Sequence, residues 1–265
     1  MSIILLISIL LIILFKKANE NTKDVTINTI SVSKNNDQVS LNILHLSDLH
    51  LENISISPNE LYKKISNQQV DLIALTGDFL DRKRSIPKLE GYLQVLEKIN
   101  PKYGMYAVFG NHDYVLKGKN FESLKRTLEE NGCKTMQNEH VTVKVGEDNL
   151  NIIGIDDYST KRSNIKMAYQ GLPSGYNLVL THDPNVVLRM KNVPFDYLLS
   201  GHFHGGQIHW PKPYHLIKMG KLVRMKMIKG LHYHDGKPFY ISEGLGQTGV
   251  NIRIGSRPEI TFHKI

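Results

Sequence analysis

The sequence predicts an α/β fold in which strands and crossover helices surround a buried sheet. From Leu41 onward, short β-rich runs alternate with stretches of helical spacing, the pattern of strand–helix–strand units. Each apolar run also stops at glycine and polar residues, as strands do where they give way to loops. With 265 residues, 41% of them hydrophobic and 22% charged, the chain can bury a full core, and one domain with an attachment is expected.

The attachment comes first. "IILLISILLIILF" runs from Ile3 to Phe15 without a charge and is followed by Lys16 and Lys17. As a helix it would be about 20 Å long, short of the roughly 30 Å hydrocarbon core of a bilayer. It lacks a basic leading segment and a small-residue cleavage site, which argues against a removed signal peptide. Residues 1–17 are therefore expected to form an uncleaved anchor helix that places the protein at the cell membrane. The two lysines favour a cytoplasmic catalytic domain, while so short a segment leaves the side open. "KKANENTKDVTINTISVSKNNDQ" then reads as a linker over 18–40 with room for one strand.

Over 41–265 the expected strands are "LNILHLS", "DLIALTG", "GMYAVFG", "LNIIGID", "YNLVLTH" and "DYLLSGH". Between them "SPNELYKKISNQQ" opens with Ser57 as an N-cap and Pro58 in the first turn. "KLEGYLQVLEKIN" and "NFESLKRTLEENG" carry helical spacing, the second ending at Gly132. "LHYHDGKPFY" reads as a hairpin turning at Asp235 and Gly236, with His232 and His234 as strand residues.

Potential metal ligands follow the apolar runs in succession. "SDLH" supplies Asp48 and His50, "TGD" Asp78, "GNHD" Asn111 with His112 beside it, "THD" His182, and "SGHFH" His202 and His204. In a largely parallel sheet the carboxyl ends of the strands share one edge, so residues far apart in sequence converge. The single Cys133 rules out an internal disulfide and a thiolate site. Imidazole and carboxylate donors suit Zn, Fe or Mn. Seven ligands are too many for one such ion and suit two that share a bridging carboxylate. Such a site stays positive and draws a phosphate ester.

The ordered set "SDLH", "TGDFLDR", "FGNHD", "THD" and "SGHFHGGQ" resembles the calcineurin-like metallophosphoesterase family, from about Leu41 to the C-terminus. "GIDDY", "HFHGGQIHWP", "ISEGLGQTG" and "RPEITF" resemble a membrane-associated bacterial phosphodiesterase branch, some of whose members act on lipid-linked or nucleotide-sugar substrates. The resemblance implies a four-layer α/β/β/α sandwich of two mixed sheets. It implies one metal held by Asp48, His50 and His204, a second held by Asn111, His182 and His202, and Asp78 bridging them. A hydroxide between the ions would attack phosphorus in a monoester or diester, as in UDP-2,3-diacylglucosamine hydrolases. The resemblance makes His112 the group that protonates the leaving oxygen, Asp81 the acid that orients it, and Arg82 a phosphate contact, although Lys83 stands where the phosphatase branch has glycine.

Other readings remain in view. A non-catalytic, metal-stabilised membrane scaffold would share the fold, but drift usually erases ligands that this chain keeps. A nuclease is the other contender, and no basic groove with interleaved aromatics supports one, so nucleic acid is not an expected partner. Lys and Arg outnumber Asp and Glu by 33 to 25, which favours anionic partners. A phosphoester and a membrane are expected, with no obligate protein partner. Phe203, between two histidines, either packs behind the site or narrows the cleft. Asp156 and Asp157 support the site or form a turn, and His45 is packed or hydrogen-bonded within a strand. The basic, apolar segment "PYHLIKMGKLVRMKMIKG" is either an amphipathic element packed on the domain or an interfacial one laid on lipid.

Overall fold

The structure is a computed structural model that describes residues 3–32 and 40–265. The first sheet holds β1 (Thr26–Ser31), β2 (Asn42–Leu46), β3 (Leu72–Thr76), β4 (Met105–Val108), β5 (Cys133–Thr135) and β12 (Glu259–Lys264). Their order is β1-β12-β2-β3-β4-β5, parallel throughout except where β12 meets β2. The second holds β6 (Glu139–Val145), β7 (Asp148–Gly154), β8 (Tyr176–Leu180), β9 (Tyr197–Ser200), β10 (Gly230–His234) and β11 (Lys237–Ile241). Its order is β10-β11-β9-β8-β7-β6, with antiparallel pairs at both edges. Both sheets are mixed, and the expected parallel core survives at the centre of each.

Side-chain alternation divides the interior into layers. Leu44 and Leu46 of β2 face a core closed by α2 (Pro58–Ile65), α3 (Ile86–Glu97) and α4 (Lys119–Glu130). Ile43, on the opposite face of the same strand, joins Ala74, Val108, Leu178 and Leu199 in the core that the two sheets share. On the far side, Val179, Leu198 and Phe239 pack under α5 (Ile165–Ala168), α6 (Lys221–Arg224) and short 3-10 turns. Helices, sheet, sheet and helical cover make the four layers.

Local signals read from the sequence hold where they are chemical. The Ser57 side chain accepts from Glu60 N while the Glu60 carboxylate accepts from Ser57 N, closing a capping box on α2. Asp235 (φ 49°) and Gly236 (φ 74°) form the turn of the β10–β11 hairpin. His45 is buried, its Nε2 2.8 Å from Thr76 Oγ1 and its Nδ1 3.4 Å from His263 Nε2.

The amino-terminal expectation needs correction. Residues Ile3–Glu20 form one helix, α1, but among the described residues no helix is long and apolar enough to cross a membrane. Its charge-free part is about 20 Å long, and Lys16, Lys17 and Glu20 complete the helix. The end of α1 docks on the domain: Ala18 is buried, Asn19 Nδ2 donates to Asn251 O at 2.7 Å, and Arg253 N donates to Ala18 O at 2.9 Å. The expected linker contributes β1, which runs parallel to β12. Its residues 33–39 lie outside the described residues.

In the segment after the paired histidines, Leu216, Leu222 and Ile228 are buried in the outer core, while Lys218, Lys221, Arg224 and Lys226 are exposed. It is an amphipathic element packed on the domain.

Candidate metal centre

The carboxyl ends of β2, β3 and β4 in one sheet, and of β8 and β9 in the other, meet at one end of the sandwich. Asp48 and His50 follow β2, Asp78 follows β3, Asn111 and His112 follow β4, His182 follows β8, and His202 and His204 follow β9. Asp48, His50, Asp78, His202 and His204 all have positive φ, between 37° and 77°. Non-glycine residues pay strain for that conformation, which marks sites where the surrounding fold over-determines the backbone. Here it turns successive side chains back towards a common point.

The donor atoms form two overlapping groups. His204 Nε2 lies 3.3 Å from Asp48 Oδ1 and 3.2 Å from His50 Nε2. His182 Nε2 lies 3.1 Å from both Asp78 Oδ2 and His202 Nδ1. Asp78 Oδ2 is also 3.6 Å from His50 Nε2, which puts this carboxylate between the groups. In each of the sets Asp48–His50–His204 and Asp78–His182–His202, the donor atoms lie within 4.8 Å of one another. Ligands about 2.0–2.2 Å from a common ion are spaced in this way. Asn111 Oδ1 is buried without a partner, an acceptor that only a cation or an added donor would satisfy. The set fits two ions.

Outer contacts prepare the ligands. His182 Nδ1 is 2.8 Å from the Thr76 carbonyl oxygen, which can only accept, so Nδ1 carries the proton and Nε2 faces the cluster. Asp81 Oδ1 lies 3.2 Å from His50 Nδ1 and 2.9 Å from His112 Nδ1, so one carboxylate oxygen orients both rings. Ser47 Oγ donates to Asp48 Oδ2 at 2.6 Å. Burial opposes ionisation of Asp78, yet His182 and the neighbouring imidazoles hold its carboxyl well below the usual range. Burial pushes His204 down to about 3 and also lowers His202, so both rings are neutral and able to bind a metal. At His112 burial works downward, but the Asp81 hydrogen bond and the charge of Asp78 prevail and raise it to about 9.

Arg82 is exposed and gives its backbone N–H to Glu52 Oε1. Phe203 is fully buried in the outer core with Ile153, Val179 and Phe239, so it packs behind the site. Asp157 serves a turn, its Oδ2 accepting from Ser159 Oγ and Thr160 N, and Asp156 accepts from Tyr114 Oη and Asp157 N. Among the described residues, His232 and His234 belong to no metal-ligating group.

Two supporting residues escaped the sequence reading. Asp113 is buried and accepts from the N–H groups of Asp78, Phe79, Leu80 and Gly110, clasping the turn that carries Asp78 against the one that carries Asn111. Arg253 is the largest fully buried side chain. Its Nη1 donates to the carbonyls of His204, Glu243 and Arg257 and to Ser256 Oγ, and its Nη2 donates to those of Gly244 and Gly246. The 243–246 loop in turn backs Asp48, since Leu245 N donates to Ser47 O and Gly246 N to Asp48 O. The signal for Asp113 was its place at the end of "GNHD"; Arg253 sits in a loop without periodicity and offered none.

Glycine is required at 201, where a Cβ would run into Ser47 Oγ and Asp48 Oδ2. Gly201→Ala is expected to displace Asp48 and weaken metal binding about 10- to 100-fold. Titration of the metal-free protein with Mn2+ checks this, and an unchanged affinity would contradict it.

The pattern of the calcineurin-like phosphoesterase family matches residues 41–206, more than half of the chain. The chain belongs to the calcineurin-like phosphoesterase family. It is 70% identical to the uncharacterized metallophosphoesterase YkoQ of Bacillus subtilis over 100% of this chain and 99% of that one. It is 28% identical to the UDP-2,3-diacylglucosamine pyrophosphatase LpxG of Chlamydia muridarum over 83% of this chain and 82% of LpxG. In fold it is similar to the sulfate thiohydrolase SoxB of Thermus thermophilus, with a TM-score of 0.52 at 9% identity, covering 88% of this chain and 58% of SoxB. The family uses a dinuclear metal centre, and this member is a metal-dependent phosphoester hydrolase with His and Asp clusters able to hold metal.

Proposed function

We propose that the protein hydrolyses a lipid-linked phosphoester at a membrane surface, using Asp48, His50, Asp78 and His204 for one ion and Asp78, Asn111, His182 and His202 for the other. The observation that carries the hydrolytic reading is the convergence of six of these side chains on two adjacent donor groups linked by Asp78, with Asn111 lining the same recess. The donor chemistry suits Mn, Fe or Zn. Bound there, two such ions supply Lewis acidity to the phosphoryl oxygens and lower the pKa of water.

The protein's own groups supply the rest. His112 is one-third exposed beside the cluster, and Asp81 holds its Nδ1–H, leaving Nε2 to give a proton to the departing oxygen. Asp81 is a positioning residue for His50 and His112 together. Arg82, one residue beyond Asp81 and exposed, is the candidate grip on a non-bridging phosphoryl oxygen. His112→Ala is expected to cut turnover about 100- to 10,000-fold while two ions remain bound; loss of the ions as well would make it a ligand or a structural group.

The membrane part rests on α1. Its residues from Ile3 to Phe15 are apolar on every face and exposed, which water does not favour. At its base a groove of about 1130 Å³ is walled by Leu11, Ile12, Phe15, Trp210, Ile252 and Ile254, and Trp210 is 75% exposed. Such a helix enters the interfacial region without crossing, with Lys16 and Lys17 at the headgroups. The similarity to LpxG, whose name specifies a diacylated glucosamine substrate, supports a lipid-linked substrate.

Hydrolysis of bis(4-nitrophenyl) phosphate by the Mn-loaded protein, compared with the metal-free protein, tests the reaction. Equal rates, or no rate in either, would overturn the hydrolytic reading. Flotation of the protein with anionic vesicles, with and without residues 1–17, tests the attachment, and equal flotation of both forms would overturn it.

A further inference from the structure

Asp81 serves two rings with one oxygen. Its Oδ1 lies 2.9 Å from His112 Nδ1 and 3.2 Å from His50 Nδ1, and the two rings stand nearly perpendicular, at 83° with centroids 4.8 Å apart. A hydrogen bond weakens steeply as it bends, so a single oxygen meets both N–H groups well over a narrow range of positions. Yet Asp81 lies outside any helix or strand, where the chain after β3 leaves the core. Phe79 and Leu80 are buried, Asp81 is half-buried, and Arg82, Lys83 and Arg84 are exposed. Packing holds this turn as far as Leu80 and no further.

Beyond that point a carboxylate takes over. Glu52 Oε2 accepts from Asp81 N at 3.1 Å and Glu52 Oε1 accepts from Arg82 N at 2.9 Å, so two successive backbone N–H groups share one charged acceptor, whose bonds are stronger than neutral ones. Glu52 is in turn fixed to His50. The His50 carbonyl accepts from Asn53 N at 2.7 Å and from Ile54 N at 3.1 Å, and Asn53 Nδ2 donates to Gly249 O at 3.1 Å. Leu51, between His50 and Glu52, is buried in the core and donates its N–H to Phe79 O at 3.0 Å. These contacts close a ring that runs along the chain from His50 to Glu52, across to the Asp81 backbone, and through the Asp81 carboxylate back to His50. His112 is attached at the same carboxylate oxygen.

We propose that Glu52 is a positioning residue for His50 and His112 together: it fixes the Asp81 backbone and so sets the angle at which His50 meets its ion and His112 meets the leaving oxygen. The part concerning His112 rests on the reading that this ring serves hydrolysis. The part concerning His50 rests only on the donor set.

Calorimetric titration of the metal-free full chain with Mn2+ tests the His50 part without turnover. In Glu52→Ala the affinity for one of the two ions is expected to fall about tenfold. Asp81→Ala should show a similar loss, and the double variant should lose no more than about twofold beyond Asp81→Ala alone, because Glu52 then has no carboxylate left to place. Arg82, which Glu52 also holds, is outside the donor set, so its release does not enter this measurement. Glu52→Gln keeps the volume and one acceptor, should lose less than Glu52→Ala, and replaces it if the alanine variant does not fold. Unchanged Mn2+ affinity in the Glu52 variants, or losses that multiply in the double variant, would defeat the proposal. Turnover of bis(4-nitrophenyl) phosphate at saturating Mn2+ tests the His112 part: kcat of Glu52→Ala should fall at least about tenfold, and an unchanged kcat would overturn that part. If the unaltered protein does not hydrolyse the diester, the hydrolytic reading fails, and the titration still decides what Glu52 does for His50.

Discussion

Asp78→Asn is expected to remove bound metal and turnover together. The Asp78 carboxylate stands between the two donor groups, 3.1 Å from His182 Nε2 and 3.6 Å from His50 Nε2 through the same oxygen. Its other oxygen accepts from His112 N at 2.8 Å. An amide in its place keeps the volume but has no charge to set against two cations, and one of its two terminal atoms is a donor. Turnover should fall at least about 1,000-fold, and elemental analysis after dialysis should find less than one ion per chain. Two retained ions with full activity would defeat the assignment. The fold should survive, because the Asp78 backbone is held by Asp113 whatever the side chain.

The second large effect is expected far from any substrate. Arg253→Met should cost about 4 kcal/mol of stability or more, because carbonyls from three segments, at His204, in the 243–246 loop and at Arg257, lose their shared donor in a site closed to water. The urea midpoint of the metal-free protein measures it, and a loss below about 1 kcal/mol would show that the cage repacks. Arg253→Lys keeps a cation with fewer donors and should recover part of the loss. Because Arg253 joins the carbonyl of His204 to the loop behind Asp48, what metal binding remains in either variant should be weakened most at the Asp48–His50–His204 group.

These two residues mark what the sequence made legible. Asp78 was readable because it follows a buried strand and stands in an ordered series with Asp48, Asn111, His182 and His202; regular strand ends convert sequence order into spatial neighbourhood. The central strands and the helices α2 to α4 were readable from periodicity and caps for the same local reasons. The edge strands β5 and β6 were not: β5 has three residues, and β6 has a half-buried, half-exposed pattern without an apolar run, while β1 was expected only as one strand somewhere in the linker. The antiparallel docking of β12 on β2 depends on partners more than 200 residues apart. Arg253 belongs to this second group, since its role consists entirely of backbone carbonyls, which no side-chain pattern encodes. The amino-terminal helix was legible as an apolar one, and its length, which the sequence also showed, is what keeps it from being a span.

The candidate metal ligands are divided between the two halves of the sandwich. Asp48, His50, Asp78 and Asn111 ride on one sheet, and His182, His202 and His204 ride on the other. Their mutual alignment is therefore set by the dry contact of Ile43, Ala74, Val108, Leu178 and Leu199 rather than by any loop. A slip of one residue between the sheets would shift one half by about 3.3 Å, whereas a coordination bond tolerates about 0.2 Å. That core acts as a gauge block: its thickness calibrates the gap that the ions must fill. A change of one methylene there would alter coordination while the fold itself held.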